Sequence, residues 1–380
     1  MERIYLDHAA TSPMHPAVID KITTVMKNVF GNPSSIHFYG RESRHYIDEA
    51  RQTMASSIGA KPNEIIFTSG GTEADNMALT GVALANRDKG NHIITAQIEH
   101  HAVLHTCQAL EKQGFQVTYL PVDEAGRISA KQLQEALTDD TILVSIMYGN
   151  NEVGTIQPIV EIGEVVKGHQ AFFHTDAVQA YGLLSIDVKQ LGIDLLSVSS
   201  HKINGPKGIG FLYAASHVPL SPLLFGGEQE RKRRAGTENV ASIAGFEEAV
   251  VISQQTLAEK AAQYTQYKEK MISVFQEEGI EFSVNGTLDS SLPHVLNIAF
   301  PGTNVESMLV NLDLAGIAVS SGSACTAGSI DPSHVLVAMF GKDSDRLISS
   351  IRFSFGLGTT MEQVEKAAHE TARIVKRLVK

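Results

Sequence analysis

Few side chains in this chain combine a type and a place suited to covalent chemistry, and a lysine heads them. Ser199-Ser200-His201-Lys202 follows the apolar run Leu195-Leu196-Ser197-Val198 and precedes Asn204-Gly205-Pro206-Lys207-Gly208-Ile209-Gly210. The run reads as a short buried strand, and ligands of open α/β sheets sit at strand ends. A lysine there can form a Schiff base with an aldehyde, whose standard form in enzymes is pyridoxal 5'-phosphate, PLP. A lone lysine after a strand is more often a surface residue, so the rest of the chain must decide.

Other strand ends carry matching groups. Ser69-Gly70-Gly71-Thr72-Glu73-Ala74-Asp75 lies between a strand and a helix. Its glycines allow a tight turn, Thr72 with Asp75 has capping-box spacing, and the helix N-terminus suits a phosphate. An ordinary capped turn is the plain alternative. Asp176, at the end of Ala171 to Thr175, can hold the proton on a pyridine nitrogen, and Gln179 can reach that ring's phenolic oxygen. His100, after another strand, suits ring stacking or proton transfer. Asn151 suits a hydrogen bond to the cofactor or to a substrate carboxylate. Arg352 interrupts an apolar strand and needs a carboxylate, internal or from the substrate. His101 and His105 have i, i+4 spacing, but no third metal ligand is visible, and no metal site is expected. Arg231-Lys232-Arg233-Arg234 reads as a solvated charged loop, and Thr237 just after it offers a hydroxyl to a phosphate.

The two cysteines differ. Val103, Cys107 and Leu110 share a helix face, which makes Cys107 a core residue. Cys325 lies within Ser320 to Ser329, where no bulky residue occurs. Such a segment has little to bury, and a cysteine on it is suited to meeting a substrate and then a partner.

The elements that must position these residues alternate. Strands are expected at 64–68, 92–96, 115–120, 141–146, 171–175, 195–199 and 208–213, with helices at 72–85, 102–113, 129–137 and 159–166. That alternation predicts a largely parallel sheet covered on both faces. Beyond about residue 255 a helix at 263–277, apolar stretches around 293–300, 306–314, 317–319 and 351–355, and a last helix at 361–378 read as a smaller α+β domain. The first dozen residues have no βα partner and are expected to pack there.

Composition narrows the classes. The 380 residues are 43% hydrophobic, enough for a large core. A net charge of −11 argues against a general nucleic-acid or membrane-surface binder. Two distant cysteines imply no disulfide framework and suit a reducing cytoplasm. Met1 to Asp7 lacks the basic start and apolar core of a signal peptide, and no run reaches the roughly 20 apolar residues of a membrane span.

Read in order, these stretches resemble the cysteine desulfurases of the NifS/IscS type, within the class V aminotransferase-like, fold-type I PLP enzymes. The resemblance runs nearly end to end: Tyr5-Leu6-Asp7-His8-Ala9-Ala10-Thr11, Gly31-Asn32-Pro33-Ser34-Ser35-Ile36-His37, Thr68 to Glu73, Asn150-Asn151-Glu152-Val153-Gly154, His201-Lys202, Ser321-Gly322-Ser323-Ala324-Cys325 and Ser350 to Ser354. It implies a fold-type I transferase with a mostly parallel seven-stranded sheet in a large PLP-binding domain, 15–255. Residues 1–14 with 256–380 would form the small domain carrying Cys325. It implies that Lys202 is the Schiff-base lysine and Asp176 the pyridinium partner. Gln179 and Asn151 would be further cofactor contacts, and His100 the stacking histidine. Gly71, Thr72, Ser199 and His201 would form the phosphate and cofactor cradle. Thr237 would come from a neighbouring subunit, which implies a homodimer. Asn32 and Arg352 would clamp the substrate carboxylate, and Cys325 would form a persulfide.

The implied reaction removes sulfur from L-cysteine, giving L-alanine and a Cys325 persulfide. The sulfur would pass to an acceptor protein, either a tRNA-thiolating enzyme or an iron–sulfur scaffold. Relatives that feed the scaffold often carry a tail after the last helix. This chain ends at Lys380, almost on that helix, which favours another acceptor. A selenocysteine lyase or a class V aminotransferase on the same fold is the alternative. A non-catalytic partner protein that keeps only the fold is disfavoured by Lys202, Asp176 and Cys325 together.

Overall fold

The computed structural model describes residues 3–321 and 332–379. Its central sheet has seven strands in the order Ile65–Thr68, Gly210–Ala214, Leu195–Ser199, Phe172–Asp176, Thr141–Ser145, His92–Ala96 and Gln116–Leu120. The last five are mutually parallel, and Gly210–Ala214 runs antiparallel to both its neighbours. Ile65–Thr68 therefore points the same way as the five. Thr68, Ala96, Ser145, Asp176 and Ser199 all end at one edge of the sheet. Strands covered on both faces by helices must be apolar throughout. Those from Leu195–Ser199 across to His92–Ala96 are buried along their whole length, while the edge strand Gln116–Leu120 is partly exposed.

Several boundaries differ from the sequence reading. Asp176 is the last residue of its strand rather than the residue after it. The helix expected from Thr72 begins at Gly71, with Gly70 as its cap, so Thr72 lies inside the first turn and forms no capping box. Helices Pro16–Asn28, Phe38–Ser57 and Val240–Gln255 were not read from the sequence and pack together beside the sheet. Val240–Gln255 is largely apolar on every side, so it lacks the one-faced pattern that marks a surface helix.

A second region is built on Val295–Ala299, which lies between Ser350–Ser354 and Ser283–Val284 and runs antiparallel to both. Ile4–Tyr5 pairs in parallel with Ile317–Ala318. Ile4 and Leu6 share an apolar cluster with Met271, Phe275, Phe300, Phe353 and Val375, where the first dozen residues were expected to pack. Helix His334–Phe340 instead sends Val335, Leu336 and Met339 into the cluster of the large sheet. The N-terminal segment links the two regions. Leu6 N–H donates to Ala318 O at 2.8 Å and Ser354 N–H to Leu6 O at 2.7 Å, and further on Ser12 Oγ donates to His201 O at 2.6 Å. Asp7, Ala9 and Ala10 are thereby held against the turn that carries Lys202.

Candidate active site

The edge where the strands end gathers the chemistry. Helix Gly71–Ala85 starts at Gly70, whose φ of 151° is glycine territory, and no side chain caps it. Its first-turn N–H groups therefore face the sheet edge without a side-chain acceptor, which is what an anion needs. Glycine is required here for space as well. A Cβ on Gly71 would stand 2.7 Å from Val178 Cγ2, and one on Gly210 would meet Gly70 Cα at 2.8 Å. Ser199 Oγ lies 3.7 Å from where a Cβ on Gly70 would be, so the strand end and the turn close one small cradle. His201 Nδ1 is 3.1 Å from Thr11 Oγ1 at its margin.

Lys202 ends the short turn Ser200–Lys202 that continues strand Leu195–Ser199. Its Nζ donates to Ala9 O and, at 2.8 Å, to Ala10 O. Burial and the nearby Arg352 guanidinium push this amine down to about 8, against the pull of Asp176 and Asp7. A substantial neutral fraction near pH 8 suits a nucleophilic amine.

Asp176 is buried, and its Oδ1 accepts from Val178 N–H at 2.9 Å. Burial raises its carboxyl above the ordinary value, with His100 and Lys202 pulling the other way. Asp75 and Glu99 are also fully enclosed and are driven up by burial, each with repulsion from Asp176 added. A ring nitrogen of His100 and carboxylate oxygens of Asp75 and Asp176 lie within 4.8 Å of one another. His100 caps helix His101–Glu111, its Nδ1 accepting from Ala102 N–H at 3.1 Å. The neutral ring therefore keeps its proton on Nε2.

Arg352 sits in strand Ser350–Ser354 with Nη2 on Asp7 Oδ1 at 2.7 Å and Nη1 on Asn151 O at 2.8 Å. Its Nε is buried without a partner among the described residues. The internal carboxylate on Arg352 is thus Asp7. Gln179 bonds Ala9 O at 2.9 Å and His294 at 3.0 Å.

Comparison with known proteins decides what kind of site this is. The family described as aminotransferase class-V matches residues 4–367. The chain belongs to the aminotransferase class-V family. It is 65% identical over 378 residues to a Bacillus subtilis (strain 168) protein given as a candidate cysteine desulfurase, IscS 1, covering 100% of both chains. It is 48% identical to the cysteine desulfurase IscS of Methanosarcina thermophila, covering 99% of this chain and 92% of that one. A NifS-like protein of solved structure superposes with a TM-score of 0.93 at 35% identity, covering 99% of this chain and 100% of the other. A structure of SspA in complex with cysteine gives a TM-score of 0.83 at 38% identity, over 93% and 98% of the two chains.

Enzymes of this aminotransferase class-V family use PLP, and the donor set here fits it. An uncapped helix start suits a phosphate, a half-neutral lysine suits an aldehyde, and a buried carboxylate suits a pyridinium nitrogen. The Asp75, His100 and Asp176 trio stands at the same edge of the sheet.

The remaining expected residues are not gathered. Asn32 is exposed on a turn, its Oδ1 accepting from Ser34 N–H at 2.9 Å, and Thr237 is exposed two residues before the cap Asn239. Cys325 lies outside the described residues, but the chain on either side of its segment is attached to the site. Ser320 exchanges backbone bonds with Arg352, Ser333 Oγ donates to Glu152 Oε2, and His334 Nε2 donates to Glu99 O at 2.9 Å. Cys107 is buried in the large core, which pushes its thiol up, as the helix pattern indicated. The basic quartet is solvated only in part: Arg231 and Lys232 are exposed, whereas Arg234 pairs with Glu73 at 2.7 Å. His334 joins His101 and His105 as a neighbour the sequence did not show, with its ring 4.7 Å from that of His101. Asp7, Asp75, Glu99, Glu152 and His294 were missed as site residues. Of these, Asp7, Asp75 and Glu152 lay inside motifs already singled out.

Proposed function

We propose that this enzyme is a cysteine desulfurase that takes sulfur from L-cysteine onto Cys325, leaving L-alanine. The observation that carries this reading is the half-buried Lys202 amine, held on the Ala9 and Ala10 carbonyls, pushed down to about 8 and within electrostatic reach of Asp176. PLP, when bound, supplies an electrophilic carbon for the substrate amine and an electron sink for charge developing at its α-carbon. Lys202 Nζ would hold the cofactor's aldehyde carbon and would serve to move the substrate's α-proton, with the Ala9 and Ala10 carbonyls orienting the amine. The N–H groups of Gly71 and Thr72, with Ser199 and His201, would hold the phosphate. Asp176 would keep the proton on the ring nitrogen, His100 would lie against the ring, and Asn151 and Gln179 would make further contacts. Arg352 would bind the substrate carboxylate in exchange for Asp7 and so select an amino acid, and Asn32, exposed on its turn here, would join that clamp only when substrate is bound.

The Cys325 thiolate attacks the substrate sulfur. An S–S bond forms as the Cβ–S bond breaks, the electron pair stays with Cβ, and a proton completes the methyl group of alanine. Both sulfurs are oxidised and Cβ is reduced, so no outside oxidant is needed. The persulfide then passes to an acceptor protein, a tRNA-thiolating enzyme or an iron–sulfur scaffold, in the reducing cytoplasm.

The working form is a homodimer. Ile36 is 91% exposed and Phe225 87%, and exposed Phe30 and Phe38 both lie against Tyr39. Apolar groups gathered in this way need covering, and a second copy would also bring its exposed Thr237 to the phosphate.

The test is alanine and sulfide production from L-cysteine with no keto acid present. Wild type should form alanine, and Cys325→Ser should keep the cofactor's visible absorbance but release no sulfide. Normal turnover by Cys325→Ser would remove the persulfide role, and dependence on a keto acid would make the enzyme a transaminase.

A further inference from the structure

We propose that His294 is a positioning residue for the cofactor: its ring N–H bonds Gln179 Oε1 and turns the free N–H of that amide toward the ring oxygen of PLP. This rests on the reading of Gln179 as a contact to that oxygen.

Two contacts fix the amide, and their logic runs one way. Gln179 is 6% exposed, and its Nε2 lies 2.9 Å from Ala9 O. A backbone carbonyl only accepts, so the NH2 end must face Ala9 and the oxygen must face the other way. On that side His294 Nε2 stands 3.0 Å from Oε1, which can only accept. His294 must therefore carry its proton on Nε2. Its Nδ1 is left as a buried lone pair without a partner among the described residues. The ring stays neutral because burial, and the charges of Lys268, His8, Lys202 and Arg352 around it, all oppose protonation. One N–H of Gln179 serves Ala9, and the second has no acceptor among the described residues.

The donor comes from the other region of the molecule. His294 immediately precedes strand Val295–Ala299, and its carbonyl accepts from Phe355 N–H at 2.9 Å. Gln179 follows strand Phe172–Asp176 of the large sheet, so the bond spans 115 residues of sequence. A donor on an amide oxygen polarises the amide and strengthens its remaining N–H. Without that donor Oε1 is buried and unsatisfied, and the amide is free to turn away from the ring. The second region would thereby set one cofactor contact in the first.

The test uses the full-length holoenzyme with His294→Phe, which keeps ring volume without the donor, and His294→Gln, which restores an N–H at similar reach. His294→Leu replaces the Phe variant where the latter does not fold. Two quantities are read besides turnover: the Kd for PLP on re-binding to stripped protein, and the pH at which the visible band titrates. A donor to a phenolate oxygen weakens its hold on the proton it shares with the Schiff-base nitrogen, so losing the donor should move that pH upward. His294→Phe should weaken PLP binding about threefold to tenfold and raise the titration midpoint, and His294→Gln should recover both. Gln179→Leu should reproduce the shifts, and the double variant should add nothing. Unchanged values in His294→Phe, beside clear shifts in Gln179→Leu, would overturn the proposal. Additive shifts would overturn it too, since His294 would then act without Gln179. If Gln179→Leu itself moves neither value, the underlying reading of Gln179 fails, and the proposal with it.

Discussion

Replacing Glu152 with Gln should stabilise the enzyme above neutral pH while changing little in acid. Glu152 is 3% exposed, and one carboxylate oxygen accepts from Ser333 Oγ. Burial pushes its carboxyl from 4.5 up to about 7, although Ser333 and the Arg352 charge both favour ionisation. The folded value is the higher one, so the native state binds the proton more tightly. Its contribution is complete below about pH 4.5 and is lost as pH rises through about 7. The gap corresponds to about 1 kcal/mol at pH 5 and about 3 kcal/mol at pH 8. Gln can still accept from Ser333 and carries no charge. Any cost of its buried NH2 is the same at every pH. An unfolding entropy of about 2.1 cal/mol/K per residue over 380 residues converts these energies to roughly 1 °C at pH 5 and roughly 4 °C at pH 8. Melting curves of parent and variant from pH 5 to 8 measure the difference directly. An advantage that fails to grow with pH, or a variant that melts progressively lower than the parent as pH rises, would refute the burial argument.

Two further outcomes follow from the geometry. Asp176→Asn should raise the melting temperature of cofactor-free protein, because it relieves repulsion among three enclosed carboxylates, Asp75, Glu99 and Asp176. The same change should cut alanine formation by about tenfold to hundredfold through loss of a charged hydrogen bond; a fall in both would contradict the repulsion argument. Gly71→Ala places a Cβ 2.7 Å from Val178 Cγ2, and Val178 N–H holds Asp176. PLP affinity, read by absorbance titration, should drop about tenfold or more, and an unchanged Kd would show that the cradle tolerates the methyl group.

The sequence by itself determined the sheet and the chemistry-bearing motifs at its edge. Strands buried on both faces must be apolar runs, and the residues after them lie at a shared edge wherever the strands are parallel. That is why Gly71, Asp176, Ser199 and Lys202 were readable from local pattern. Cys107 was readable too, because helical spacing alone places it in the core.

Only the tertiary structure decided which groups face one another across long separations. Nothing near Arg352 in the sequence names Asp7 as its carboxylate, since the two are 345 residues apart and meet because the N-terminal segment crosses to the second sheet. The same holds for His294 with Gln179 and for Glu152 with Ser333. Each is an ordinary polar residue whose role comes from burial against a specific partner, and burial is a property of the packed whole. The open helix start was misread for the opposite reason. Thr72 and Asp75 satisfy the spacing of a capping box, but Gly70 at φ 151° starts the helix one residue earlier. That single residue replaces the expected capped turn with first-turn N–H groups that no side chain caps among the described residues.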